Sequence, residues 1–508
     1  MTAPSMEYTE LLPIIIVLAA AVIGVLVEAF VPRGARRASQ LVLSMAALVG
    51  ALAAVITQAG TQIVAAQGSI SVDGPALFIQ GVVCVSAIVG LMFFAERQVD
   101  PAGDPFAPSA AALPGSKAEQ TLVKAGIQQT EVYPLALFAT GGMLLFPAAN
   151  DLLMLFIALE VLSLPLYVLC AMARRRRLLS QEAALKYFLL GAYASAFFLF
   201  GAALIYGYSG SIRFSDIDAA LASRVGQEGL LLAGVALIAV GLLFKIAAAP
   251  FHSWTPDVYQ GAPTPVTGFM AAGVKLAAFG ALLRIFYVAF GGLRTDWQPL
   301  FWAIAIITML LGVVLALTQT DVKRMLAYSS IAHAGFILTG MVVANEAGTA
   351  SVLFYLATYA FATLGSFAVL TLVRDAGGEA THLSKWAGLG KRSPVVAGTF
   401  AVFLLALAGI PLTSGFVGKL VVFAAAIEGG ALPLVIVALV ASAIAVFFYV
   451  RVIVLMFFSE PAADGPTVAI PSAWTTIGVA VTVAMTVVLG ILPGPLLELA
   501  EQAATFVR

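Results

Sequence analysis

The chain has 508 residues, of which 61% are hydrophobic and only 10% are charged. Soluble domains are typically about 45–50% apolar and about 25% charged, so this composition excludes a soluble globular fold. Lysine plus arginine and aspartate plus glutamate each number 26, and this balance provides no basic field that would attract nucleic acid.

Apolar runs of membrane-spanning length follow one another along the whole chain. The first comes after the acidic start MTAPSMEYTE and is too long for a cleaved secretory signal, so we expect it to remain as a membrane helix. Counting runs of about 20 residues predicts about 14 spans. They lie near residues 11–31, 40–58, 76–95, 133–148, 150–171, 182–207, 229–250, 263–289, 299–318, 325–344, 350–372, 395–426, 431–458 and 472–494.

The predicted spans do not alternate apolar and polar residues, which excludes a transmembrane β-barrel. In hydrocarbon, every backbone polar group of such a segment must be satisfied within the segment itself. The sequence therefore predicts an all-α integral membrane protein.

Basic residues are concentrated in alternate loops between the predicted spans. They are Arg33, Arg36 and Arg37; Arg174 to Arg177; Lys323 and Arg324; and Lys385, Lys391 and Arg392. Short loops rich in lysine and arginine stay on the cytoplasmic side, so we expect both termini on the outer, periplasmic side of a cell membrane. We interpret the four-arginine run as a topology determinant that contacts lipid headgroups.

Two predicted spans are interrupted by proline: the seventh at Pro250 and the twelfth at Pro411. If spans 4–8 and 9–13 are two five-helix units, each interruption falls in the fourth helix of its unit. An odd number of helices per unit gives the two units opposite orientations, which is the pattern of inverted-repeat transporters with discontinuous helices at their binding sites. Proline is common in membrane helices, so two unrelated helix irregularities are the alternative.

This reading divides the chain into four parts. Residues 1–132 form three amino-terminal spans and a polar loop, residues 133–289 the first five-helix repeat, residues 290–459 the second, inverted repeat, and residues 460–508 the last span.

Several ionisable residues fall inside predicted spans, and four of them are singled out: Glu160, Lys245, Lys275 and Lys419. Each charge at mid-membrane costs about 2.5–3.5 kcal/mol on insertion scales, so such residues are candidates for function. Lysine suits proton transfer because loss of hydration favours its neutral form, whereas a nearby carboxylate favours its charged form. We expect Glu160 and Lys245 to pair, and we name the four residues the lysine relay. A static ion pair that only fixes helix packing is the alternative.

Four further residues are assigned supporting roles. Lys186 lies four residues after Glu182, with which it can pair, and it is a candidate for a proton intake path. His252, His333 and Arg451 lie near span boundaries or on polar helix faces.

Motifs of enzymes with bound cofactors are missing from the sequence. Cys84 and Cys170 are too few for an iron–sulfur cluster, and the three histidines have no metal-ligand spacing. The segment GLGKRS, from Gly388 to Ser393, lacks the first glycine and the serine or threonine of a phosphate loop. We therefore expect no cofactor or metal to be bound by this chain.

Two long segments resemble the signatures of a known family. PFHSWTPDVYQGAPTPVTG, from Pro250 to Gly268, and DVKRMLAYSSIAHAG, from Asp321 to Gly335, are similar to signatures of the antiporter-like subunits of respiratory complex I and of the related multisubunit cation/proton antiporters. EAALKYFLLGAYASAFFLFG, which begins at Glu182, most resembles the chain N branch. Lys419 agrees with that branch, because chain M typically has glutamate there.

The resemblance implies a fold, a function and partners. Glu160, Lys245, Lys275 and Lys419 match the family's helix-5 glutamate, helix-7 lysine, helix-8 lysine and helix-12 terminal group, and His252 and His333 match polar signature positions. The family implies proton translocation coupled to electron transfer from NADH to quinone, with NADH, FMN, iron–sulfur clusters and quinone held elsewhere in the assembly. A chain M-like subunit, small quinone-proximal subunits and lipid would be neighbours, in a bacterial rather than an organellar membrane.

Two rival functions stay open at this point. A subunit of a free-standing sodium/proton antiporter shares the two signatures, and only the chain N-like wording separates the two transport functions. A non-conducting scaffold, whose buried charges lock helices together, is the rival of another class.

Overall fold

The computed structural model describes residues 6–99, 103–109, 112–113, 116–125, 128–223, 226, 228–375, 377–461 and 465–507. These residues form α-helices joined by short connections. The helices are α1 (Leu12–Phe30), α2 (Arg33–Thr57), α3 (Gly74–Phe94), α4 (Lys117–Lys124), α5 (Val132–Leu145), α6 (Leu152–Cys170), α7 (Arg177–Ser209), α8 (Phe214–Ser223), α9 (Glu228–Ile246), α10 (Trp254–Gly261), α11 (Thr264–Arg284), α12 (Arg294–Leu317), α13 (Val322–Met341), α14 (Glu346–Leu372), α15 (Leu389–Arg392), α16 (Pro394–Ala408), α17 (Ser414–Glu428), α18 (Leu432–Phe458), α19 (Ala473–Ile491) and α20 (Gly494–Gln502).

Strands occur only as short pieces in the described connections. The strands β1 (Ile63–Ala65) and β2 (Ile70–Val72) pair antiparallel between α2 and α3. In the second sheet, β3 (Val373–Asp375) lies between β4 (Gly378–Glu379) and β5 (Thr467–Val468). The predicted all-α membrane architecture is thus confirmed.

Eleven helical segments of the described residues are long and apolar enough to cross a membrane. Two shorter apolar segments, Val132–Ala148 and Pro394–Ala408, fall within predicted spans 4 and 12. The total of about 14 spans and the boundaries of the two repeats stay predictions.

Both predicted helix interruptions are confirmed. The seventh span is divided into α9 and α10, and Ala247, the first residue after α9, has a left-handed backbone with φ of 63°. The twelfth span is divided into α16 and α17, and the break begins at Gly409 with φ of 82°. Glycine adopts this left-handed conformation without steric cost and is the usual residue after a helix end.

Helices α11 and α14 form the centre of the bundle. The apolar windows of Thr264–Ala289 and Glu346–Leu372 are fully buried, whereas the window of Ala473–Ile491 is only 28% buried. Helices with a large exposed apolar surface suit the periphery, where they meet lipid or neighbouring chains. The central helices therefore carry side chains that neither lipid nor bulk water reaches directly.

A buried ion pair joins the centre to α3. Arg284, at the end of α11, donates from both terminal guanidinium nitrogens to Asp73 at 2.6 and 2.9 Å, and its Nε donates to the carbonyl oxygen of Pro147 at 2.6 Å. Asp73 also caps α3 and accepts from the backbone nitrogen of Val507. The pair therefore fastens α3, α11 and the last described residues together.

Candidate functional site

The amino group of Lys245 lies in the last turn of α9, just before the break. It donates a hydrogen bond to Ser163 Oγ on α6 at 2.7 Å. The rings of Tyr167 and Tyr187 lie 5.6 and 5.5 Å from the nitrogen, within the range of cation–π attraction. These contacts partly replace the hydration that the buried ammonium group loses.

Glu160 and Lys245 do not form a direct ion pair in the structure, and their expected pairing stays a prediction. Among the described residues, no carboxylate oxygen lies within 4.0 Å of the Lys245 nitrogen, and Glu160 instead accepts a hydrogen bond from Ser195 Oγ on α7 at 2.5 Å. The reason is that Ser163 follows Glu160 by three residues on the same face of α6 and occupies the position next to the ammonium group. The hydroxyl group of Ser163 therefore makes the contact between α6 and the ammonium group on α9.

Lys275 lies at the middle of α11 and is 3% exposed. Its amino group donates to the carbonyl oxygen of Ser330 on α13 and, at 2.9 Å, to Ser330 Oγ. Tyr359 on α14 donates its hydroxyl to the same Oγ at 2.7 Å, and its ring lies 5.1 Å from the Lys275 nitrogen. The ammonium group is thus held by neutral oxygens and an aromatic face.

His333 lies one turn beyond Ser330 on α13. Its Nδ1 shares a hydrogen bond of 2.7 Å with the hydroxyl of Tyr355, and its Nε2 lies 3.4 Å from the hydroxyl of Tyr449 on α18. The Tyr449 hydroxyl also bonds Ser329. Groups that both donate and accept protons therefore surround the histidine ring.

Lys419, on α17, lies at the second helix break. Its amino group donates to the carbonyl oxygens of Leu407 and Ala408 at 3.2 and 2.8 Å, and to Ser442 Oγ on α18 at 2.9 Å. These carbonyl groups end the half-helix α16, where the helix dipole favours a cation. The ring of Phe336, one turn after His333, lies 4.9 Å from the nitrogen. The break therefore supplies oxygen ligands to the buried ammonium group.

The supporting residues divide into two groups. His333 belongs to the buried polar network, whereas Lys186 lies in an ion network that is open to solvent and pairs with both Glu182 and Asp257 at 2.8 Å. Arg451 is exposed and donates to the carbonyl oxygen of Leu317, and its supporting role stays a prediction.

His252 lies in the break between α9 and α10. Its Nδ1 is buried and has no hydrogen-bond partner among the described residues. The structure does not bring this ring into contact with the relay, and its supporting role stays a prediction.

Several polar residues that the sequence interpretation did not single out complete the site. Ser163, Ser330, Tyr355 and Tyr359 provide the hydroxyl groups around the lysines and the histidine. Their only signal in the sequence is that they are polar residues within apolar helices, which does not separate them from serines that bond their own backbone.

A second overlooked pair links the two predicted repeats. Asp257 on α10 accepts from Arg324 on α13 at 2.6 Å and from Lys186 on α7 at 2.8 Å. Asp257 and Arg324 lie within the two signature segments, and this position could have identified them from the sequence. The pairs tie the half-helix α10 to both repeats.

The fold and the buried cations define a class: a polytopic membrane bundle whose discontinuous helices carry buried lysines at or beside their breaks, a pattern found in transporters. Residues 149–445 match the family described as NADH:quinone oxidoreductase/Mrp antiporter, TM. NADH-quinone oxidoreductase subunit N 3 of Streptomyces griseus subsp. griseus is 61% identical over 100% of this chain and 96% of its own length.

Solved structures agree with the fold. A chain of respiratory complex I from Thermus thermophilus with bound aureothin has a TM-score of 0.77 at 33% identity, covering 96% of this chain and 99% of its own. A chain of the Mrp complex from Dietzia sp. DQ12-45-1b has a TM-score of 0.80 at 23% identity, covering 98% of this chain and 97% of its own, and shows the fold alone. The chain belongs to the NADH:quinone oxidoreductase/Mrp antiporter membrane family, in its NADH-quinone oxidoreductase subunit N branch.

Proposed function

We propose that the chain translocates protons as a membrane-arm subunit of an NADH-quinone oxidoreductase, driven by electron transfer from NADH to quinone in other subunits. The observation that carries the proposal is the bonding of Lys275: a 3% exposed ammonium group at the centre of the bundle, held by Ser330 and the ring of Tyr359. A carboxylate partner would hold the proton on the lysine, whereas neutral oxygens stabilise the ammonium group less and allow it to release the proton.

The proposed order of transfer runs from Lys245 through Lys275 to Lys419. Lys245 loses its proton towards Lys275 when the carboxylate of Glu160 moves further from the Lys245 amino group. The proton then passes by Ser330 and His333 towards Lys419, which releases it on the outer side. Hydroxyl and imidazole groups suit these steps because each can accept one proton and donate another.

The rest of the assembly belongs to the same proposal. NADH, FMN, iron–sulfur clusters and quinone are placed in other subunits, with a chain M-like subunit on one side and small quinone-proximal subunits on the other. Both termini are placed on the periplasmic side of a bacterial membrane. The 61% identity with a subunit N relative supports this function over a free-standing sodium/proton antiporter.

The test is Lys275→Ala in the assembled complex. We expect normal assembly with a loss of proton translocation, measured as protons translocated per electron during NADH oxidation in sealed vesicles. The matched control is Lys391→Ala, which removes a lysine whose side chain is 53% exposed. Unchanged translocation in the Lys275 variant would refute the relay and favour the scaffold function.

A further inference from the structure

A fourth buried lysine lies at the basic end of the bundle, the end that carries Arg174 to Arg177 and Arg324. Lys323 was expected in a cytoplasmic loop, but its side chain is only 2% exposed. It is the second residue of α13 and donates to the carbonyl oxygen of Ala262 and to Thr264 Oγ1, both at 2.9 Å. The structure places Lys323 in the first turn of α13, where the connection between α10 and α11 covers the ammonium group.

We propose that Lys323 takes up protons at this end and supplies them to Lys275. The inference rests on the proposed proton translocation and adds an intake residue to it. Lys323 thereby gains a role in transfer rather than only in membrane topology.

The first requirement for proton intake is that protons reach Lys323 from the surface. Glu379, whose side chain is 21% exposed, has a carboxylate oxygen 3.9 Å from the Lys323 nitrogen. Both residues line a cavity of about 30 Å³, together with Arg175, Arg176 and Arg374. A cavity of that size accommodates a water molecule, so Glu379 can take a proton from solvent and pass it to Lys323.

The second step is the connection to the interior. Thr264 and Lys275 are 11 residues apart on one face of α11, about 16 Å along the axis. Lys323 and Ser330 are seven residues apart on one face of α13, about 10 Å along the axis. The two faces meet at Lys323 with Thr264 and again at Lys275 with Ser330, with contacts of 2.9 Å at each end.

The third step is the chemistry between these contacts. Thr267 lies on α11 between Thr264 and Lys275, and its hydroxyl donates to the carbonyl oxygens of Tyr259 and Pro263. Hydroxyl groups can pass protons by accepting one and donating another. In each cycle Glu379 takes one proton from solvent, Lys323 gives one towards Lys275 and regains one from Glu379, and Lys275 recharges Lys245. One proton is thus taken up for each proton that Lys419 releases.

Lys323 could instead serve only to hold the start of α13 against the connection after α10. Lys323→Arg separates this structural role from proton transfer. Arginine keeps a positive charge and donors for the carbonyl oxygen of Ala262, but it does not release its proton in proteins. Positioned proton donors and acceptors typically contribute about 10²–10⁴-fold to rate, so we expect NADH-driven proton uptake to fall at least about tenfold. Thr264→Val, which removes the linking hydroxyl, should also slow uptake, and Lys391→Arg is the exposed control.

Measurements use the assembled complex in sealed vesicles. Wild-type uptake in Lys323→Arg would overturn the inference, because arginine can also donate to the carbonyl oxygen of Ala262 in a purely structural role. If that variant does not assemble, Thr264→Val decides, and wild-type uptake in it would overturn the inference. Lys275→Ala is measured alongside. If Lys275→Ala loses translocation while Lys323→Arg takes up protons normally, only the intake role of Lys323 is rejected. If Lys275→Ala translocates protons normally, the proposed function itself is rejected.

Discussion

Breaking the ion pair of Arg284 with Asp73 should lower the free energy of unfolding by an amount that can be estimated from the structure. Both side chains are 0% exposed, and the guanidinium group makes two hydrogen bonds to the carboxylate and one to the carbonyl oxygen of Pro147. Asp73→Asn keeps the shape of the side chain but leaves the buried guanidinium charge uncompensated. Breaking a buried pair in this way costs about 3–5 kcal/mol, and we expect a loss of that order in the free energy of unfolding.

The assay is an unfolding titration of the purified chain in mixed detergent micelles. The double variant Asp73→Leu with Arg284→Met removes both charges, and we expect it to be less destabilised than Asp73→Asn because no charge is left buried and unpaired. Lys391→Ala breaks an exposed pair with Glu460 and should change stability by about 0–1 kcal/mol. A change below about 1 kcal/mol in Asp73→Asn, or a double variant at least as unstable as Asp73→Asn, would refute this reasoning.

Two further substitutions test the site and the packing. Ser163→Ala removes the hydroxyl group that accepts a hydrogen bond from Lys245, and a hydrogen bond to a charged group is worth about 1.5–3 kcal/mol. We therefore expect normal assembly but slower proton uptake in vesicles. Unchanged uptake would show that this contact has no role in proton transfer. Gly142→Ala would place a β-carbon 2.7 Å from the Cα of Leu162 and should cost about 1–3 kcal/mol in the same detergent titration, whereas Gly398→Ala, with open space around it, should lose nothing.

The membrane architecture was predictable because it depends on local composition. Runs of apolar residues identify helices without any knowledge of their neighbours, and Pro250 and Pro411 indicate the breaks because proline removes a backbone donor. Lys245, Lys275 and Lys419 could be located in the same way, since a charge inside an apolar run is visible in the sequence. All three are buried in the structure.

Partners of these charges were not predictable to the same degree, because they depend on which helix faces meet. The sequence suggested that Glu160 pairs with Lys245, but the fold places Ser163 of α6 at the ammonium group on α9. Lys323 was assigned to a loop because it precedes the predicted span 325–344, yet the connection that follows α10 folds over it. Such tertiary contacts join residues dozens of positions apart and leave no periodic signal.

Similarly, Arg284 was overlooked because it lies at the end of an apolar run, where arginine usually reaches the membrane interface. Its burial depends on Asp73, which is 211 residues earlier in the chain. The pair became visible only once α3 and α11 were placed side by side.

The central claim is that protons move through Lys245, Lys275 and Lys419 in succession. It is tested most directly by a structure of the assembled complex at a resolution that shows ordered water. We expect water molecules and hydroxyl groups joined by hydrogen bonds between the three amino groups. Three ammonium groups enclosed in separate dry pockets, with no such connection in any state of the working complex, would contradict it.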